Sequence, residues 1–189
     1  MLARRQEASE PRFDPKGGRV KAERWIHALL WAARYKERGL PYSTVMAIPR
    51  YDDDAASVDA LEKRWDRDKV ELRKLGLHIG YRSGDHMAGE GYTLRVEDPP
   101  FPDEILEARK TRVPRLTAGE RFVQILWVLD KGWRVTVAQL ADYLRTDEAT
   151  VQQDIDCLIC CGAGPEPHQM LDIYIEDGYL KKAGPGVYA

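Results

Sequence analysis

Apolar side chains recur at helical spacing in residues 20–38, at Trp25, Ile26, Ala28, Leu29, Leu30, Ala32 and Ala33, and the run closes at Gly39 and Pro41. A buried first helix is predicted there, because one face repeats every 3.6 residues and a proline cannot continue the turn. Residues 43–48 make a short second segment ended by Pro49. Beyond the acidic Asp52-Asp53-Asp54, the Ser57 hydroxyl is suited to cap a third helix that runs to Leu75 and stops at Gly76. Its apolar positions Val58, Leu61, Trp65, Leu72 and Leu75 keep the three-and-four spacing of one buried face. The period then drops to two. Leu77, Ile79 and Tyr81, then Tyr92, Leu94 and Val96, alternate as two strands around the turn-rich residues 83–91.

The same plan recurs further along. Glu120-Arg121-Phe122-Val123 echoes Glu23-Arg24-Trp25-Ile26, and a short helix is predicted over 135–144. A third helix over 147–161 ends at Gly162, with Asp154, Leu158 and Gly162 in the frame of Asp68, Leu72 and Gly76. Ile173 and Ile175, then Tyr179 and Leu180, flank an Asp177-Gly178 turn. Three helices followed by a hairpin is the order of a winged helix-turn-helix. The expected fold is therefore mainly α with small β-hairpins, an α+β chain of two tandem winged helix-turn-helix units. The first spans 20–98 and the second 116–189, joined by a linker over 99–115 that opens at Pro99-Pro100 and Pro102. Residues 1–19, polar and carrying Gly17-Gly18, read as a disordered tail without the apolar stretch of a secretory signal.

Charge changes this picture only once it is divided. The net charge of -2 covers 21 Lys+Arg against 20 Asp+Glu in residues 1–110, and 8 against 11 in residues 111–189. No Lys or Arg lies between Thr146 and Leu180. If the chain meets phosphate, the first half must do it.

Around the third helix at 100° per residue, Lys63, Arg67, Val70 and Lys74 fall opposite Leu61, Trp65, Leu72 and Leu75. Cations on the outer face of such a helix suit major-groove reading of double-stranded DNA, with Arg67 and Lys63 placed for base edges. Arg64, Lys69, Arg73 and Lys74 lie to the sides or near the C-terminal end, where phosphate is the expected contact. Tyr42, Ser43 and Thr44 at the second helix, with Arg82, His86 and Arg95 on the hairpin, are further phosphate candidates. The competing reading is a solvated face, since Asp59, Glu62, Asp66, Asp68 and Glu71 share the helix. The corresponding helix of the second repeat carries Asp147, Glu148, Asp154 and Asp156 with no cation after Arg145, which points to assembly or partner binding.

Asp68 falls on the apolar seam, where an unpartnered carboxylate is costly. Either Arg24 pairs with Asp68 and Arg121 with Asp154, or each carboxylate bonds a nearby backbone or hydroxyl group. Cys157, Cys160, Cys161 and His168 have zinc-like spacing, but ligands drawn from one helix and its following loop favour buried structural thiols and no metal. Clustered cysteines also speak for a reducing, cytoplasmic compartment. Histidines at 27, 78, 86 and 168 form no catalytic set, and residues 162–167 lack the lysine and hydroxyl of a phosphate-binding loop, so neither enzyme activity nor a cofactor is expected. No apolar run approaches the roughly 20 residues that span a bilayer, so no membrane partner is expected.

The run Trp65-Asp66-Arg67-Asp68-Lys69-Val70-Glu71-Leu72-Arg73-Lys74-Leu75-Gly76, followed by Gly91-Tyr92-Thr93-Leu94, resembles the first winged helix of WYL-domain transcription regulators of the proteasome-accessory-factor B type. Cys161-Gly162, Met170-Leu171-Asp172-Ile173 and Ile175-Glu176-Asp177-Gly178 are similar to the second helix-turn-helix module of the fused B/C regulators. The resemblance implies DNA binding by the Arg67-Asp68-Lys69 helix, bacterial transcriptional control tied to stress or DNA damage, and a homodimer or paired-subunit assembly. It also implies a WYL domain, expected beyond residue 189 if these residues are the N-terminal part of a longer chain, the other reading being a natural short form. The alternative class is an adaptor in which both winged helices bind proteins.

Overall fold

The computed structural model describes residues 15–35, 37–49, 57–84, 90–109, 115–164 and 169–188. Along them run α1 (Pro15–Arg34), α2 (Tyr42–Met46), α3 (Val58–Arg73), β1 (Leu77–Arg82), β2 (Gly91–Val96), α4 (Pro102–Ala108), α5 (Ala118–Asp130), α6 (Val137–Tyr143), α7 (Glu148–Leu158), β3 (Asp172–Glu176) and β4 (Tyr179–Ala183). Among the described residues, seven helices and two antiparallel two-stranded sheets give a mixed α+β architecture. No helix among them is long and apolar enough to cross a membrane.

Three helices and a hairpin occur twice, and both hairpins are tied to their own repeat in the same way. β1 pairs with β2 from Leu77 opposite Val96 to Arg82 opposite Gly91. Leu40, between α1 and α2, adds one rung, its N–H donating to the Tyr92 carbonyl at 2.7 Å while Tyr92 N–H donates back at 2.8 Å. That close approach requires Gly91, since a Cβ there would stand 2.6 Å from the Leu40 carbonyl oxygen. In the second repeat Leu180 N–H donates to the Val135 carbonyl at 2.8 Å. The β3–β4 turn takes positive φ at both central residues, 53° at Asp177 and 81° at Gly178, the twist that a two-residue hairpin loop demands.

The core runs through both repeats. α3 buries Trp65, Asp68 and Leu72, and α7 buries Val151, Asp154, Ile155 and Leu158. α1 and α5 are buried on more than one face and pack against each other, the Trp25 ring resting where a Cβ on Gly119 would lie 2.6 Å away. His27 Nδ1 sits 2.9 Å from the Gly162 carbonyl oxygen, and Arg34 donates to the Ala163 carbonyl at 2.8 Å. On the other side of the joint, Trp127 Nε1 donates to Asp98 at 3.1 Å. The two repeats therefore share one apolar core.

Several boundaries differ from the sequence reading, α7 for example ending at Leu158 rather than at residue 161. α1 begins at Pro15, inside the stretch 1–19 read as a tail, because a proline suits the first helical turn and Ala22 and Arg19 are anchored against the rest of the fold. It also ends at Arg34 rather than near residue 38. The linker over 99–115 contains α4, which has Pro102 in its first turn, acidic Asp103 and Glu104 beside it, and a Glu104 carboxylate accepting from Phe101 N–H at 2.8 Å. Residues 1–14, Asp52-Asp53-Asp54, His86, His168 and residues 110–114 lie outside the described residues.

Candidate nucleic-acid interface

Ser57 starts α3 by accepting from Ala60 N–H at 3.2 Å. The rotation of the helix about its axis is set by what it buries. Trp65 and Leu72 enter the core, and between them Asp68 receives Arg24 in a two-pronged pair, Nε to Oδ2 at 2.6 Å and Nη2 to Oδ1 at 3.1 Å. Arg121 and Asp154 form the matching pair in the second repeat, with Nη2 to Oδ1 at 2.9 Å and a second bond from Nε. Of the two sequence alternatives for these carboxylates, the arginine pairing is the one that forms. Burial pushes the Asp154 carboxyl up, against the Arg121 guanidinium that holds it down.

With that face inward, Lys63, Arg67, Val70 and Lys74 are all exposed, within an arc of roughly 60° at 100° per residue. Lys74 reaches back to Glu71 at 2.8 Å, and Arg67 Nε donates to the Lys63 carbonyl at 3.0 Å. Among the described residues neither Lys63, Arg67 nor Arg73 meets a carboxylate. Exposed pairs such as Lys74–Glu71 contribute little in water and exchange readily for a phosphate. Arg64 and Lys69 are half-buried on the flanks, Lys69 pairing with Asp66 at 2.8 Å.

The remaining candidates are placed less uniformly. Ser43 is exposed and Thr44 half-buried on α2, a helix of five residues. The Tyr42 hydroxyl donates to Glu62 at 2.6 Å, and this bond pushes its pKa up to about 12. Tyr42 thus fastens α2 to α3, and its proton is occupied by a carboxylate rather than offered to phosphate. Arg82 donates to the Glu37 carbonyl at 2.8 Å, which holds the first hairpin to the α1–α2 connection. Arg95 is exposed and bonded to Glu97.

The pattern of apolar positions missed how this hairpin is held against α3. Tyr92 meets Trp65 edge-on at 5.2 Å between centroids, Tyr81 meets Tyr92 at 5.3 Å, and Lys69 Nζ stands 5.0 Å from the Tyr92 ring centre. Tyrosines recurring on both strands were the available signal, because aromatic cross-strand pairs stabilise a hairpin face.

α7 presents a different surface. Counted from Asp154 as Lys63, Arg67, Val70 and Lys74 are from Asp68, the outward positions are Ala149, Gln153, Asp156 and Cys160, all exposed. Arg19 from α1 bonds Gln153. The connection before α7 is also shorter, since the Arg–Asp pair spans 33 residues here against 44 in the first repeat. Of the thiols, Cys161 is buried, Cys157 half-buried and Cys160 exposed, so the expectation of buried thiols fails at Cys160, which lies past the end of α7 on its outer side. No cluster of three or more metal-ligating side chains occurs among the described residues. The chain matches no family profile, no curated protein and no solved structure.

Proposed function

We propose that this chain is a non-enzymatic, sequence-specific DNA-binding transcription regulator of the bacterial cytoplasm, built of two tandem winged helix-turn-helix units, with α3 entering the major groove. The observation that carries the reading is the outward face of α3. Lys63, Arg67 and Lys74 stand together on it, while the buried Trp65, Leu72 and the Arg24–Asp68 pair fix the direction in which it points. Guanidinium and ammonium groups on a rigid helix match the acceptor-rich edge of guanine and the flanking phosphates. The resemblance to WYL-type regulators supports the same assignment and adds homodimerisation and a stress- or damage-linked role. The second repeat serves assembly or coupling, in keeping with the uncharged and acidic outer face of α7.

The test is enrichment of duplexes from a random pool by the full chain. A defined sequence is expected, and Lys63→Ala/Arg67→Ala is expected to lose it, while Gln152→Ala/Gln153→Ala on α7 retains it. An adaptor that binds protein is the second reading. It is favoured by the exposed aromatics Phe101 and Trp133, which continue through Trp127 as edge-on ring pairs at 6.0 and 4.8 Å. Failure of the wild type to enrich any duplex, with a protein partner whose binding depends on Phe101 and Trp133, replaces the first reading with the second.

A further inference from the structure

On the outer face of α3, Val70 is 52% exposed and lies between Arg67 and Lys74, about one turn away on either side, with Lys63 a turn further back and the Asp66 carboxylate, paired to Lys69, one turn before it. Valine gains nothing there from local structure, since a β-branched residue gives up side-chain freedom in a helix and leaves apolar surface in water. Nor is it a displaced core position. Its counterpart two residues after Asp154 is Asp156, also exposed, so the site faces solvent in both repeats. An apolar side chain set between Arg67 and Lys74 fits a surface that is acidic around and apolar at one point. In the major groove the thymine C5-methyl is that point, the one apolar group on a base edge there.

We infer that Val70 contacts a thymine methyl one base step from the pair read by Arg67, making it a specificity-determining residue that places a thymine beside a guanine in the operator. The inference rests on the proposed DNA reading of α3. Val70 lies roughly 4.5 Å along the helix axis from Arg67, three residues at 1.5 Å each. Successive bases on a strand are about 3.4 Å apart, so with α3 lying along the groove the two side chains address neighbouring steps.

The experiment uses the duplex that the full chain enriches, with each thymine replaced in turn by deoxyuridine, which pairs identically and lacks only the methyl. At one thymine the wild type is expected to lose about fourfold in affinity, the worth of one methyl group removed from apolar contact. Val70→Ala keeps a good helix former at the site and is expected to fold, to bind, and to be indifferent to that replacement. A fourfold loss retained in Val70→Ala, or no thymine whose methyl matters, overturns the Val70 contact and leaves the DNA reading standing. Absence of any enriched duplex overturns both together.

Discussion

Asp154 has no exposed surface and its partner Arg121 keeps only 7%, so this pair stands or falls as a unit. Removing one member leaves the other charge buried without compensation. Asp154→Ala or Arg121→Met is expected to lower stability in urea unfolding by about 3–5 kcal/mol, whereas replacing both with apolar residues of similar volume recovers most of the loss. A single mutant that unfolds at the wild-type midpoint contradicts this. In the first repeat Arg24 retains 11% side-chain exposure, so Asp68→Ala costs less stability, but it removes the peg that sets the rotation of α3. These pairs were legible in the sequence because a carboxylate on an apolar seam is expensive and because the Arg and Asp positions recur in register. Tyr42–Glu62 was not, since a bond across 20 residues between a short helix and a charged one leaves no periodic trace.

Carboxylates at helix starts and in the β2–α4 connection carry the pH dependence. The Asp147 carboxylate accepts from Thr150 N–H at 2.7 Å at the start of α7, and this bond, with one from the Thr150 hydroxyl, holds its pKa below the ordinary value. Asp98 is lowered by Trp127 and then by Lys131, and Asp103 at the start of α4 by Arg145. A lowered folded pKa means stability that is present above the unfolded value near 4 and is lost as pH falls through the folded one. Asp154 acts with the opposite sign, its raised pKa giving a contribution present at low pH and lost as pH rises through the folded value. Thermal melts taken from pH 7 down to pH 3 are expected to show a falling midpoint below about pH 4. Asp98→Asn is expected to flatten that fall, and a midpoint constant to pH 3 contradicts the assignment. α4 was not legible from Pro102 alone, because a proline both ends a helix and, followed by Asp103 and Glu104, starts one.

For the molecule as a whole, the joint between the repeats decides how it unfolds. α5 is buried continuously from Ala118 to Leu129, and α1 supplies Trp25, Ile26, Ala28, Leu29, Leu30 and Ala32 to the same core. Division into two units at residues 99–115 followed from the repeat. Helices apolar on more than one face were the signal that each has a second surface to cover. With one core, tryptophan fluorescence and far-UV circular dichroism are expected to report a single coincident unfolding transition. Gly119→Leu, which drives a side chain into the Trp25 ring, is expected to destabilise both repeats together, and two separated transitions contradict the shared core. The repeats are thus similar in plan and unlike in surface, with cations gathered on α3 and Ala149, Gln153 and Asp156 on α7.

Whether α3 meets phosphate and base edges is tested most directly by the salt dependence of duplex binding. For the wild type, log K is expected to fall linearly and steeply with log salt concentration. Lys74→Ala is expected to make that slope shallower by about one unit, and Lys63→Ala/Arg67→Ala to abolish preference for the enriched sequence. Binding that is insensitive to salt, or that is unchanged in these variants, contradicts the assignment of α3 as the DNA-reading helix.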